Sequence, residues 1–166
     1  AHEGSFYEFK HHITPFLKSG RTNLLEVTFS PVAPDMSVMR AERQGDFWNF
    51  GGIFRPVYLK VLPAHYIDWT GIDAEANGDF KADVHIEPGV TPPAQVRAQI
   101  LNAENQPVGA AFSSALDAGQ DTVRVQSHFD GVKLWTAETP NLYRVQFTLL
   151  ENGVPLASLS YSPEGF

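Results

Sequence analysis

The stretch Thr122-Val123-Arg124-Val125-Gln126 alternates polar and apolar side chains with a period of two. That period puts every second residue on one face of an extended chain, as in a strand buried on one side. The same alternation runs through Ser5-Phe6-Tyr7-Glu8-Phe9-Lys10. Working outward from residues 122–126, candidate strands fall at 66–75, 79–87, 95–102, 108–116, 121–128, 142–150 and 154–161. Asn77-Gly78 and Asn152-Gly153 are signals for two-residue hairpins, while Glu87-Pro88-Gly89 and Pro92-Pro93 break the chain between strands. Seven short strands in about 100 residues is the arithmetic of an immunoglobulin-like sandwich. Tyr143, at the start of the sixth strand, is placed for the corner hydrogen bond of such sandwiches.

The residues before Pro63 read differently. Asn23 to Phe29 and Val57 to Leu62 are strand-like, and Thr14-Pro15-Phe16-Leu17-Lys18-Ser19-Gly20 predicts one helical turn with Thr14 as its cap. Ser30 to Gly45, with Pro31, Pro34, Asp35, Arg40 and Arg43, reads as a long loop. The expected boundary between the two parts lies near Leu62 to His65. The opening Ala-His-Glu-Gly has no initiator Met and leads straight into an alternating segment, so the chain is expected to have been cut from something longer.

Composition closes off several classes of function. The 166 residues are 43% hydrophobic, 19% charged and 12% aromatic, which is a globular composition. With no cysteine there is neither a disulfide framework nor a thiolate site. A formal charge of -7 argues against a nucleic-acid surface, and no apolar run approaches the roughly 20 residues needed to span a bilayer. No Gly-x-Ser-x-Gly elbow is present for a hydrolytic triad. His11-His12 would point to opposite faces of a strand, one in and one out, and so could not chelate one ion. Glu75, Asp79, Asp83, Asp117 and Asp121 read as solvated surface charge.

Asp46 is the acidic residue that stands out. It adjoins Phe47 and Trp48, follows Arg40 and Arg43, and precedes Gly51-Gly52, a pair that lets backbone approach a neighbour closely. A carboxylate accepts hydroxyl hydrogen bonds while an aromatic face covers the apolar side of a sugar ring, so Asp46 is either a sugar contact or a turn-capping Asp beside two core aromatics.

The run Asp46-Phe47-Trp48-Asn49-Phe50-Gly51-Gly52-Ile53-Phe54-Arg55-Pro56-Val57-Tyr58-Leu59 resembles the pattern that closes the sugar-binding domain of glycoside hydrolase family 2. Two further stretches agree in order. Gly4 to Phe9, with Ile13-Thr14 and Gly20 to Val27, is similar to the family's jelly-roll strands, and Leu134 to Tyr143 is similar to an element of its next domain. Glu164-Gly165-Phe166 resembles the handover to the family's catalytic barrel.

The resemblance implies an all-β fold: residues 1–62 as the C-terminal part of a jelly-roll (galactose-binding-like) β-sandwich, and residues 63–166 as an immunoglobulin-like β-sandwich. It implies that the catalytic glutamates lie on a (β/α)8 barrel outside this chain, and that the whole enzyme, most like the β-galactosidases, hydrolyses a terminal β-linked sugar with retention. Asp46 matches the family residue that contacts the glycone and in some β-galactosidases helps hold a monovalent cation; Trp48 and Asn49 would support its loop, and Arg55 would be structural. No cofactor is implied for this chain, although the resemblance leaves room for a sodium or magnesium ion in the whole enzyme. The implied partners are the carbohydrate substrate and the barrel, with no nucleic acid and no membrane, and the compartment stays open between periplasm and cytoplasm. Two rival readings are a free-standing carbohydrate-binding module, acting through aromatics near Trp48 or Trp69, and a structural or interaction sandwich with no sugar role.

Overall fold

The computed structural model describes residues 2–4, 6–45, 51–87 and 90–164. The chain divides into two compact units, Ala1–Leu59 and Lys60–Phe166.

Among the described residues, unit 2 holds seven strands: β1 Ile67–Ala74, β2 Asp79–Ile86, β3 Ala94–Leu101, β4 Pro107–Leu116, β5 Thr122–His128, β6 Tyr143–Glu151 and β7 Val154–Glu164. Each lies where the alternation places it. They form two antiparallel sheets, β1-β2-β5 and β4-β3-β6-β7. One core lies between them, because alternate residues of each strand point inward: Phe80, Ala82, Val84 and Ile86 from β2, Val123 and Val125 from β5, and Val96, Ala98, Ile100, Val145, Phe147 and Leu149 from β3 and β6. Phe80, Phe112 and Phe129 interlock edge to face, with centroids 5.7 and 5.9 Å apart.

The two Asn-Gly hairpins differ. At the β6–β7 turn both Asn152 (φ 50°) and Gly153 (φ 78°) are left-handed, as a two-residue turn requires. The β1–β2 connection is longer, with three residues between the paired Glu75 and Asp79. Gly78 N–H donates to Glu75 C=O at 2.9 Å, Gly78 alone takes the left-handed conformation (φ 95°), and Glu75 N–H reaches Asp79 C=O at 2.8 Å. This is a type I turn closed by a glycine bulge, which keeps Asn77 right-handed and frees its side chain: Oδ1 accepts from Asp79 N–H at 2.9 Å. Asn102 to Gln106 repeats the design with Asn105 (φ 61°) in the glycine position.

The expected corner is present. Tyr143 is buried, and its hydroxyl accepts from Lys133 N–H at 2.9 Å across the loop that joins β5 to β6. The same loop is pinned by Asn141 Nδ2 donating to Leu134 C=O at 2.9 Å and by a bridge between Trp135 and Pro140. Tyr143→Phe keeps the ring but strands a partly buried N–H. A loss of about 1 kcal/mol is expected in urea melts, whereas an unchanged midpoint would mean the corner bond contributes nothing.

Unit 1 departs from the sequence reading. Among its described residues no strand forms, including at Asn23–Phe29, and Leu24 is 91% exposed. A strand exists only when its N–H and C=O rows meet a partner, and here none does. Without a strand there is no inner face for His11 or His12, and both are exposed. The turn at Thr14–Phe16 is a 3-10 helix, but Ile13 occupies the cap position and no side chain caps it; Thr14 is its first residue. The long loop contains a helix, α1 Met36–Arg43, started by Asp35, whose carboxylate accepts from Ser37 N–H at 2.7 Å. Hydrogen bonding from Ser37 holds the Asp35 carboxyl below its ordinary pKa.

Candidate functional site

Asp46, Trp48 and Asn49, which carry the expected sugar contact, its support and the expected cation ligand, lie outside the described residues. Their described flank bears out one local expectation. At Gly51 an added Cβ would lie 3.3 Å from the Phe29 ring and 3.8 Å from Pro31 Cβ, so the absent side chain does allow close approach. Arg55 lies over the Phe54 ring at 5.8 Å. Among the described residues no group of three or more His, Asp or Glu side chains could hold a metal ion. Among the described residues no helix is long and apolar enough to cross a membrane.

Among the described residues, several paired polar side chains lie on the outer face of the β1-β2-β5 sheet. Register sets it out in rows. Trp69 lies opposite His85, and His85 opposite Thr122; Gly71 lies opposite Asp83, and Asp83 opposite Arg124; Asp73 lies opposite Lys81, and Lys81 opposite Gln126. In the first row the Trp69 and His85 rings stack with centroids 3.5 Å apart and planes at 15°, and Thr122 Oγ1 is 2.9 Å from His85 Nδ1.

In the second row Arg124 Nε and Nη2 donate to the two oxygens of Asp83 at 2.7 and 2.8 Å, a two-pronged ion pair. These bonds hold the Asp83 carboxyl below its usual range and raise the Arg124 guanidinium. In the third row Lys81 Nζ lies 3.6 Å from Asp73 and 3.0 Å from Glu75. At the end of the sheet His128 Nδ1 lies 2.7 Å from Asp79, which lowers the Asp79 carboxyl and raises the His128 imidazole.

Asp79, Asp83 and Glu75 are thus surface charges, as expected, but each has a partner. Reading single residues missed the arrangement, since it depends on pairing positions as far apart as 83 and 124. Alternation alone shows only that each strand has an outward set.

Fold and turn chemistry define an immunoglobulin-like sandwich domain. The family model for glycosyl hydrolases family 2 matches residues 63–162, and the chain belongs to that family. A Formosa agariphila protein with a provisional beta-glucuronidase name is 30% identical over 159 residues, which cover 92% of this chain and 18% of that protein. The beta-galactosidase of Halalkalibacterium halodurans is 25% identical over 170 residues, or 99% of this chain and 16% of its own length. The chain therefore spans less than a fifth of these curated relatives. The solved structure of a beta-glucuronidase from glycoside hydrolase family 2 superposes with a TM-score of 0.52 at 19% identity, over 61% of this chain and 12% of that one, which supports the fold.

Proposed function

We infer that this chain is a non-catalytic β-sandwich portion of a family 2 glycoside hydrolase that removes terminal β-galactosides or related β-glycosides with retention. It supports the catalytic barrel and contributes one glycone contact, the Asp46 carboxylate. The observation that carries this reading is adjacency in the chain. The run Asp46 to Leu59, which resembles the family's sugar-domain pattern, directly precedes the residues that the family model matches from 63 onward.

The chemistry suits the residue. An ionised carboxylate accepts hydrogen bonds from two sugar hydroxyls without needing a proton of its own, and it fixes the ring while glutamates elsewhere break the bond. The family resemblance assigns Trp48 and Asn49, its neighbours in the chain, to the support of its loop. A retaining mechanism needs two carboxyl groups about 5–5.5 Å apart at the scissile bond, one acid/base and one nucleophile, and this reading places both on the barrel.

In the full-length enzyme, Asp46→Ala is expected to lower kcat/KM by about 30- to 150-fold, the equivalent of roughly 2–3 kcal/mol for hydrogen bonds to a charged group. Asp46→Asn, which keeps one acceptor, should fall in between. An unchanged kcat/KM in the alanine variant would remove Asp46 from the glycone site.

A further inference from the structure

We propose that Leu134 and Trp135, in the loop between β5 and β6, are the anchor by which this domain docks on the catalytic barrel of the whole enzyme, seated in an apolar recess of that barrel. This rests on the function proposed for the chain, in which such a barrel belongs to the same polypeptide, and it names the surface that bears on it.

The loop exposes what a sandwich ordinarily buries. Leu134 is 44% and Trp135 50% exposed. Among the described residues from β1 onward, no other two large apolar side chains that adjoin in the chain are both exposed. Single apolar residues at a surface are ordinary, and this pair is not single.

The pair is also held out. Before it, Lys133 N–H donates to the Tyr143 hydroxyl at 2.9 Å, and Leu134 C=O accepts from Asn141 Nδ2 at 2.9 Å. Beyond it, Thr136 N–H donates to Thr139 C=O at 3.1 Å and Thr139 N–H to Thr136 Oγ1 at 3.0 Å, a turn that brings Trp135 into its bridge with Pro140. The backbone on both sides of the pair is thus fixed from within the loop, and neither side chain can fold into the core unless those bonds break. An aromatic ring on a fixed backbone loses little freedom on docking, which suits Trp135 to the part of an anchor.

Register places a following domain at the same end of the sandwich. β7 runs back to Glu164, which pairs with Tyr143, the residue whose hydroxyl holds the loop. A segment continuing from β7 therefore leaves the sandwich beside Leu134 and Trp135. The entry to β1 is at the opposite end: Ile67 pairs with Ile86, whereas Asp79, at the other end of β2, pairs with His128, where β5 gives way to this loop. The curated relatives have room for such a domain, since this chain spans 18% and 16% of the two named above.

The size of the contact selects a tethered partner. A Trp side chain buries at most about 250 Å². With Leu134 added, the pair still falls well short of the roughly 1,000 Å² that a separate partner needs. A covalent link makes up the difference through effective concentration. That argues against a second copy or an unrelated protein as the occupant.

Hydroxyl-radical footprinting read by mass spectrometry, on the 166-residue chain and on the full-length enzyme at equal molar concentration, tests this. Oxidation of Trp135 should be at least tenfold slower in the full-length enzyme. Trp135→Gln puts a polar group where the separate chain is already half in water, so it should leave the melting temperature of the 166-residue chain unchanged and lower that of the full-length enzyme. Trp135→Phe should restore most of the difference. Equal oxidation of Trp135 in the two proteins, or a Trp135→Gln enzyme as stable as the unmutated one, would overturn the docking. The two readings fail separately. A loss of activity in the Asp46→Ala enzyme upholds the chain's role in a hydrolase whatever happens at Trp135, whereas a full-length protein without glycosidase activity overturns both.

Discussion

Phe147→Ala is expected to destabilise the sandwich by about 3–5 kcal/mol, which takes away most of the margin an ordinary domain has. Phe147 is 0% exposed and lies at the middle of β6, paired with Ala98 of β3 on one side and Leu159 of β7 on the other. The small Ala98 beside it marks how the layer is filled, a large ring next to a methyl group. Truncating the ring leaves a void in the core between the sheets, and two sheets joined by hydrogen bonds within each layer cannot close over it without shearing their registers. Denaturant melts followed by far-UV circular dichroism read the loss directly. A cost under about 1 kcal/mol would mean the sheets do not enclose one packed core.

Gly78→Ala should cost roughly 3 kcal/mol or more, with a Tm fall beyond roughly 10 °C. Two effects add. A left-handed φ costs a non-glycine residue about 1–2 kcal/mol, and the new Cβ would lie 2.2 Å from the Phe129 carbonyl oxygen. That neighbour is backbone and cannot swing aside. It is held there because Phe129 N–H donates to Gly78 C=O at 2.9 Å, so relief would break that bond and shift the buried Phe129 ring away from Phe112. Gly153→Ala is the control. Its φ is also left-handed (78°), yet nothing lies within 4 Å of the added Cβ, and only the conformational cost of about 1–2 kcal/mol should appear. Equal losses in the two variants would show that the contact with Phe129 is unimportant.

The same two glycines show what sequence reading can and cannot see. Asn-Gly announces a tight turn at both places, because glycine is needed wherever φ turns positive. Whether Asn also turns left-handed depends on how the flanking strands meet, and only the structure distinguishes Asn152 from Asn77. The seven strands of unit 2 were legible for a plainer reason: period-two alternation is enforced by the core, and Val123 and Val125 are inward for the same cause that makes them apolar. In residues 6–10 the same alternation, and in 23–29 a Leu- and Val-rich run, form no ladder, since a sequence pattern describes a face and not the partner that covers it. The helix at Met36–Arg43 was hidden by the prolines before it, although Asp35 in the cap position was a usable signal.

The polar residues divide in the same way. Asp46 stands out in the sequence through its neighbours and through a family resemblance, whereas the paired rows of Trp69 with His85 and of Asp83 with Arg124 emerge only when register brings three strands together. No spacing along the chain would have paired residue 83 with residue 124.

If, as proposed, the chain supports a glycoside hydrolase without breaking a bond itself, the isolated chain has no turnover of its own. The direct measurement is turnover of 4-nitrophenyl β-galactoside and β-glucuronide by the purified 166-residue chain, expressed in a host lacking both activities. No release of nitrophenol above the buffer rate is expected. Hydrolysis that co-elutes with the folded chain and disappears on its thermal unfolding would contradict the account.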